Sequence, residues 1–246
     1  MKKVVSLITA VLLLVSLFFT GGSSFAEGDS LQQFKQLNKG NVKVVGKGQQ
    51  GPPSFVAGIL SERHAKADAA HAKKFLEKHK EFFHLNNPGQ SLKEIRSNKD
   101  ELGMTHIRFQ QTKNGVPVET AQLNVHYNAE NEIVAVNGNV HPLAEELSIN
   151  TNPSITEAAA LGVAKVNVEA PEEVDFESTE LVIYPVNEEF HLAYKINLEF
   201  YNEQQGNWNV YVDAHTGQVI DQYDEMTGLG FFSDVLNFDS VESNEA

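Results

Sequence analysis

Thr105-His-Ile-Arg-Phe-Gln-Gln-Thr-Lys-Asn-Gly-Val-Pro-Val-Glu119, followed by Ala121-Gln-Leu-Asn-Val-His-Tyr127 and Ile133-Val-Ala-Val-Asn-Gly-Asn-Val140, is the stretch that decides the fold. Ile107 and Phe109 alternate with His106, Arg108 and Gln110, and Leu123, Val125 and Tyr127 alternate with Gln122, Asn124 and His126. A period of two is that of a strand with one buried face. Asn114-Gly115 separates the first two runs, and this pair tolerates the positive φ angles of a tight hairpin turn. The stretch therefore predicts a β-meander.

Upstream, Ser61 to Leu85 places Ala65, Ala69, Ala72, Phe75, Leu76, Phe82 and Phe83 three and four apart, with Lys73, Lys74, Glu77, Lys78 and Lys80 on the remaining surface. That spacing predicts an amphipathic helix ended by Asn86-Asn-Pro-Gly89. Residues 27–58, with Gly46-Lys-Gly-Gln-Gln-Gly-Pro-Pro53, read as an extended lead-in. Downstream of His141-Pro142, Ser154-Ile-Thr-Glu157 has the form of a capping box opening a helix through about Val166. Glu180 to Tyr184 reads as a strand, and Leu192, Tyr194, Ile196, Leu198 and Phe200 alternate with polar residues as another. Trp208–Asp213 and Gln218–Tyr223 flank Ala214-His-Thr-Gly217, whose glycine marks a hairpin turn. The order helix, then antiparallel strands, occurs twice. The fold class expected is α+β, in two consecutive units.

The chain has 246 residues, 41% of them hydrophobic, enough for one or two cored domains. Lys2-Lys3, the apolar run Val4 to Phe19 and the small residues of Ser24-Phe-Ala26 predict a signal peptide over residues 1–26. Nothing later is long and apolar enough to span a bilayer, so the expected product is secreted, extracellular and free of the membrane. The sequence holds no cysteine, which excludes disulfides and thiol chemistry. The formal net charge is −14, and loss of Lys2 and Lys3 deepens it by two, so nucleic acid and anionic membranes are expected to be repelled.

Thr-His-Ile-Arg-Phe-Gln-Gln, Asn-Gly-Val-Pro-Val, Ala-Gln-Leu-Asn-Val-His and Val-Asn-Gly-Asn-Val together resemble the propeptide domain of secreted thermolysin-like and fungalysin-like zinc metallopeptidases. Leu192-Ala-Tyr-Lys-Ile-Asn-Leu-Glu-Phe200 with Gly206-Asn-Trp-Asn-Val-Tyr-Val-Asp-Ala-His-Thr-Gly-Gln-Val219 resembles the PepSY module that follows it in such propeptides, and Ser154-Ile-Thr-Glu-Ala158 fits its start. The resemblance implies a thermolysin-type propeptide domain over 59–145 and a PepSY domain over 150–225. Each would be a helix packed on an antiparallel sheet of cystatin-like or PepSY-like form, with a flexible acidic tail over 226–246. It also implies a thermolysin-like metallopeptidase as partner, in trans or in cis, with the propeptide acting as inhibitor or folding assistant. Asp221, Tyr223, Glu225, Thr227, Gly228 and Gly230 are then the expected partner-contact residues, where a Gly-rich run can present backbone to a protease groove.

The zinc chemistry of that family requires His-Glu-x-x-His on a helix, and none of the nine histidines has that context. No nucleophile with an adjacent base and no phosphate-cradling loop is present. No catalytic residue, metal ligand or cofactor is therefore expected. His106 and His126 could approach on neighbouring strands and bind a metal, but such a site needs further ligands and a polar hairpin face explains the pair more simply. Glu172-Glu-Val-Asp175 lacks the oxygen spacing of a calcium loop. Besides the propeptide-like inhibitor or chaperone, two readings remain open at the level of sequence. One is the amino-terminal remnant of a zymogen without its catalytic half; the other is a secreted binding module with an unrelated extracellular partner.

Overall fold

The computed structural model of the chain describes residues 27–37, 42–46, 52–142, 144, 148–186, 189–201 and 205–226. In chain order the elements are α1 (Glu27–Leu37), β1 (Lys43–Val45), β2 (Phe55–Ala57), α2 (Ala69–Lys78), the single turn α3 (Pro88–Ser91), β3 (Leu92–Lys99), β4 (Thr105–Lys113), β5 (Val116–Tyr127) and β6 (Ile133–Gly138). They continue with α4 (Glu157–Asn167), β7 (Phe176–Val186), β8 (Glu189–Tyr201), β9 (Gln205–Asp213) and β10 (Val219–Asp224). The fold is α+β, with a mostly antiparallel sheet.

The expected meander forms. β4 turns into β5 through Asn114 (φ 52°) and Gly115 (φ 86°), the two positive angles of a type I′ turn. Ile107, Phe109, Leu123, Val125, Tyr127, Ile133 and Val136 face one core, over which α2 lays Ala72, Phe75 and Leu76. The helix is shorter than its periodicity predicts. It starts at the cap Asp68, whose carboxylate accepts from the His71 N–H at 2.9 Å. Residues before it are committed elsewhere: Leu60 N–H donates to Ile133 O, His64 N–H to Asn131 O, and the Ser61 hydroxyl accepts from Ile133 N–H. A backbone bonded to the β6 hairpin cannot also close helical turns.

Residues 27–58 are not an extended lead-in. They hold α1 and the β1–β2 hairpin, and β2 pairs antiparallel with β6. Phe34 explains the helix: it is 1% exposed and stacks on Phe82 at 4.0 Å within an aromatic cluster that also includes Phe75 and Phe83. Glycine and lysine density masked this one anchoring side chain. The residues expected to form the signal peptide, and Thr227 onward in the expected tail, lie outside the described residues.

The second half also departs from the expected cap. The α4 cap is Thr156, accepting from Ala159 N–H at 3.2 Å, while the Ser154 hydroxyl sits 3.2 Å from His215 Nδ1. Its Ala160 and Ala164 pack on Ile183, Leu192, Ile196, Leu198, Val210 and Val212, which all share one face of β7, β8 and β9. At the β9–β10 turn, the Asp213 carboxylate accepts from the N–H of His215 and of Thr216, and Gly217 takes φ 76°.

The halves join in one ten-stranded sheet, β1-β2-β6-β5-β7-β8-β9-β10, with β4 and then β3 branching from β5. The join is a parallel contact between Val118 of β5 and Ile183 of β7. Near it β5 bulges. Thr120 takes φ 61°, and the pairing with β4 slips between Gln110 and Thr112. The Gln110 amide spans the bulge, donating to Val118 O at 2.7 Å and Ala121 O at 3.0 Å. Gln111, fully buried, clamps His141 through both of its backbone polar groups. Glu119 reaches across the join to Lys195 of β8 at 2.7 Å.

The fold makes three stability predictions. Gly138 has φ 136°, and a Cβ there would stand 2.0 Å from Gln122 O, so Gly138→Ala should cost about 3 kcal/mol or more in denaturant unfolding. Gly162→Ala in α4, where the added carbon meets nothing, should instead be neutral or stabilise by roughly 0.5–1 kcal/mol. His79 is 7% exposed between Phe34 and Phe75, and this burial lowers its pKa from 6.5 to about 4. The unfolded chain then binds the proton more readily, so the contribution is complete above pH 6.5 and is lost as pH falls toward 4. Unfolding free energy should drop by roughly 2–3 kcal/mol between pH 7.5 and pH 4.5 from this group alone, and His79→Leu should remove that part of the slope.

Candidate partner-binding face

The side chains of β7, β8 and β9 that alternate with the α4-facing set lie on the opposite face of the sheet. Val182, Ala193 and Tyr211 are buried there, with Tyr184 and Ile220 packed against them. No helix covers this face among the described residues. What closes over it is a layer of polar and aromatic side chains. Tyr184 and Tyr211 stack at 3.8 Å and 14°, the Tyr211 hydroxyl donates to Glu119 at 3.3 Å, and Lys195 lies 5.9 Å from the Tyr211 ring centre. Burial pushes the Tyr211 and Tyr184 hydroxyls well above the usual phenol range. Burial works against the Lys195 ammonium, but its bond to Glu119 outweighs this and its pKa rises. At neutral pH the Lys195 ammonium is charged and the tyrosines are neutral donors.

β10 is the outer strand on this side, and three of the expected contact residues lie on it or just beyond. Asp221 accepts a hydrogen bond from the Tyr184 hydroxyl. Tyr223, 44% exposed, brings its ring 6.3 Å from that of Tyr211. The Glu225 carboxylate accepts from Asn209 Nδ2 at 2.8 Å, and Asp224 accepts from Asn207 N–H and Met226 N–H. The structure thus gathers Asp221, Tyr223 and Glu225 at one margin of the aromatic face. Thr227, Gly228 and Gly230 fall outside the described residues. Glu119, Tyr184 and Lys195 were not singled out in the sequence, and Tyr211 reads there as core or sheet surface. Their only signal there was position: each occupies the polar phase of an alternating strand, and only the fold reveals that these phases converge.

The chemistry available is recognition. Among the described residues no group of three or more His, Asp or Glu is placed to hold a metal ion, and no helix is long and apolar enough to cross a membrane. Two histidine pairs do meet in the first half. His64 stacks on His71 at 3.9 Å, with His71 Nδ1 3.1 Å from the Tyr127 hydroxyl. His106 and His126, opposed across β4 and β5, approach to 2.7 Å between their Nδ1 atoms. Burial lowers the pKa of His71 and of His126, so both are neutral near pH 7.

Comparison with known proteins places these features. Residues 90–140 match the Fungalysin/Thermolysin Propeptide Motif, and residues 154–223 match the Peptidase propeptide and YPEB domain. Thermolysin of Alicyclobacillus acidocaldarius subsp. acidocaldarius is 32% identical over 182 residues, covering 71% of this chain and 33% of that protein. Bacillolysin of Brevibacillus brevis is 27% identical over 207 residues, covering 79% of this chain and 39% of that protein. The chain thus spans between 33% and 39% of the length of these two relatives. Among solved structures, the Bacillus megaterium YpeB C-terminal domain is similar with a TM-score of 0.35 and 17% identity, over 80% of this chain and 95% of that chain. Residues 90–223 therefore carry, in sequence, the two propeptide domains of the thermolysin-like peptidases.

Proposed function

We propose that the chain is an exported, non-catalytic propeptide-type protein that binds a thermolysin-like metallopeptidase and inhibits it, assists its folding, or does both. The observation that carries the reading is the succession of a thermolysin-type propeptide motif and a PepSY domain within residues 90–223. On this reading 59–145 and 150–225 act as two helix-on-sheet units, preceded by a signal peptide over 1–26. Together they offer the partner an interface of at least about 1,000 Å².

The contact runs along the uncovered face and the β10 margin. Asp221, Tyr223 and Glu225 are held there by Tyr184, Tyr211 and Asn209. Thr227, Gly228 and Gly230, outside the described residues, are the further residues proposed to contact the peptidase. Rigid aromatic groups backed by a satisfied polar layer lose little conformational freedom on binding, which favours affinity. A folding assistant of this kind would hold the peptidase surfaces that form late, lowering the barrier to a product that then persists through slow unfolding.

The test uses the untagged chain from Glu27 onward and mature thermolysin. Casein hydrolysis should slow at micromolar chain concentration, or the yield of active enzyme refolded from guanidinium should rise. Tyr223→Ala should weaken the effect by about tenfold, as expected when an interfacial tyrosine is truncated. Unchanged hydrolysis together with unchanged refolding yield would refute the proposal.

A further inference from the structure

His106 and His126 meet nearly end on across β4 and β5. Their Nδ1 atoms are 2.7 Å apart, while the ring centres stand 4.9 Å apart with the planes at 68°. Each lone pair therefore points at the other nitrogen, and a hydrogen is what fits between them. The outer nitrogens are engaged as well: His106 Nε2 is 3.0 Å from Asp100 Oδ2, and His126 Nε2 is 2.5 Å from Asn137 Oδ1. Ionised carboxylate and amide oxygens only accept, so both Nε2 atoms carry hydrogen. Two neutral imidazoles have one N–H each, which would leave the facing Nδ1 atoms bare and repelling. Two imidazolium rings would set N–H against N–H. Three hydrogens on the four nitrogens satisfy every contact.

We propose that His106 and His126 form a proton-sharing clamp, which holds one proton between their Nδ1 atoms, ties β4 to β5 and β6, and opens when that proton is lost or a second one arrives. The shared proton belongs formally to His106, which donates to a neutral His126. With Asp100 ionised, the line from Asp100 through both rings to Asn137 has no net charge. Burial, and after it the charge on His106, lower the His126 pKa, against the opposing effect of the Asn137 bond. The hydrogen bond with His106 lowers the pKa of Asp100. The first proton is thus matched by a carboxylate and the second is resisted.

The surroundings favour one charge and no more. His106 and His126 are direct partners in the β4–β5 register, and Asn137 of β6 pairs with Asn124 of β5 and Phe55 of β2. Asp100 is fixed in the β3–β4 turn, accepting from Leu102 N–H and Met104 N–H at 2.9 Å each. Arg108 lies two residues along β4 on the same face, its Nε donating to Asn124 Oδ1 at 3.0 Å, and Arg96 of β3 is its cross-strand partner. Lys43 of β1 ends the row that runs from His126 through Ala135 and Ala57. Lys99 and Glu101 flank Asp100 in the chain, and β2, β5 and β6 place only uncharged residues beside the rings. In the unfolded chain both rings titrate independently near 6.5. In the folded chain the pair takes its first proton more readily than a free imidazole and its second less readily, so it holds more protons than the unfolded chain above that pH and fewer below it. The clamp's contribution to stability is therefore greatest near pH 6.5 and declines as pH moves in either direction.

The test takes the untagged chain, labelled with ¹⁵N, through long-range ¹H–¹⁵N spectra and urea unfolding from about pH 5 to about pH 9. Near pH 6.5 the spectra should show hydrogen on both Nε2 atoms and one more shared between the Nδ1 atoms, and both rings should report the same two separated titration steps. His126→Gln should raise the unfolding equilibrium constant about tenfold more near pH 6.5 than near pH 9, the excess of a charge-assisted hydrogen bond over a neutral one. Asp100→Asn should move the first step to lower pH by about one unit. Circular dichroism checks that each variant is folded, and the spectra of the unaltered chain decide the matter if one is not. Three results would overturn the proposal. They are hydrogen on His126 Nδ1 with none on its Nε2 near pH 6.5, independent single-step titration of the two rings, and a folded His126→Gln chain that loses as much stability between about pH 6.5 and about pH 9 as the unaltered chain. The first would mean that the Asn137 amide donates to Nε2, leaving a neutral line of hydrogen bonds with no extra proton to hold.

Discussion

Strand β5 serves two hydrophobic cores at once, and the rest of the structure is arranged to let it. Leu123, Val125 and Tyr127 belong to the core beneath α2, whereas Val118 and Ala121 belong to the core beneath α4. A regular strand alternates faces strictly, so Val118 and Ala121, three residues apart, could not both point the same way. The bulge at Thr120 inserts the extra residue that corrects the phase. It also withdraws backbone carbonyls from the β4 ladder, and Gln110 is the side chain that satisfies them. Gln110, Thr120 and Gln122 form a single device whose purpose is to hand the strand from one core to the other.

What was legible in the sequence was whatever is local. The Asn114-Gly115 turn, the alternation of β4, β5 and β8, and the extent of α4 all follow from neighbouring residues obeying one period. What escaped was set by partners distant in the chain. α1 exists because Phe34 finds Phe82, and the first helical turns predicted for α2 yield to bonds with Asn131 and Ile133. The α4 cap moved from Ser154 to Thr156 while Ser154 met His215 from the far turn. The candidate contact residues on β10 were legible only as a place in a family pattern; the tyrosine stack and the Glu119–Lys195 pair behind them required the fold.

The contrast between the two faces of the second half has a physical logic. The face beneath α4 is aliphatic, built of Ile, Leu, Val and Ala, and is closed by the helix. The opposite face has no helix among the described residues and instead carries Tyr184 and Tyr211, whose hydroxyls donate to the carboxylates of Asp221 and Glu119. Such a surface is stable in water, because every buried side-chain polar atom among the described residues has a partner. It still offers flat aromatic area to a protein that docks on it.

The sheet ends in strands paired on one side only: β1, β3 and β10. Exposed edges of this kind are templates on which like molecules stack into aggregates. Their composition counters that tendency. β3 reads Leu-Lys-Glu-Ile-Arg-Ser-Asn-Lys and is exposed from Lys93 to Lys99, while β10 carries Asp221 and Asp224. Two copies meeting β10 to β10 would bring like charges together within a chain that is already acidic. The margin proposed to meet a foreign surface thus carries charge that disfavours edge-to-edge pairing with a second copy.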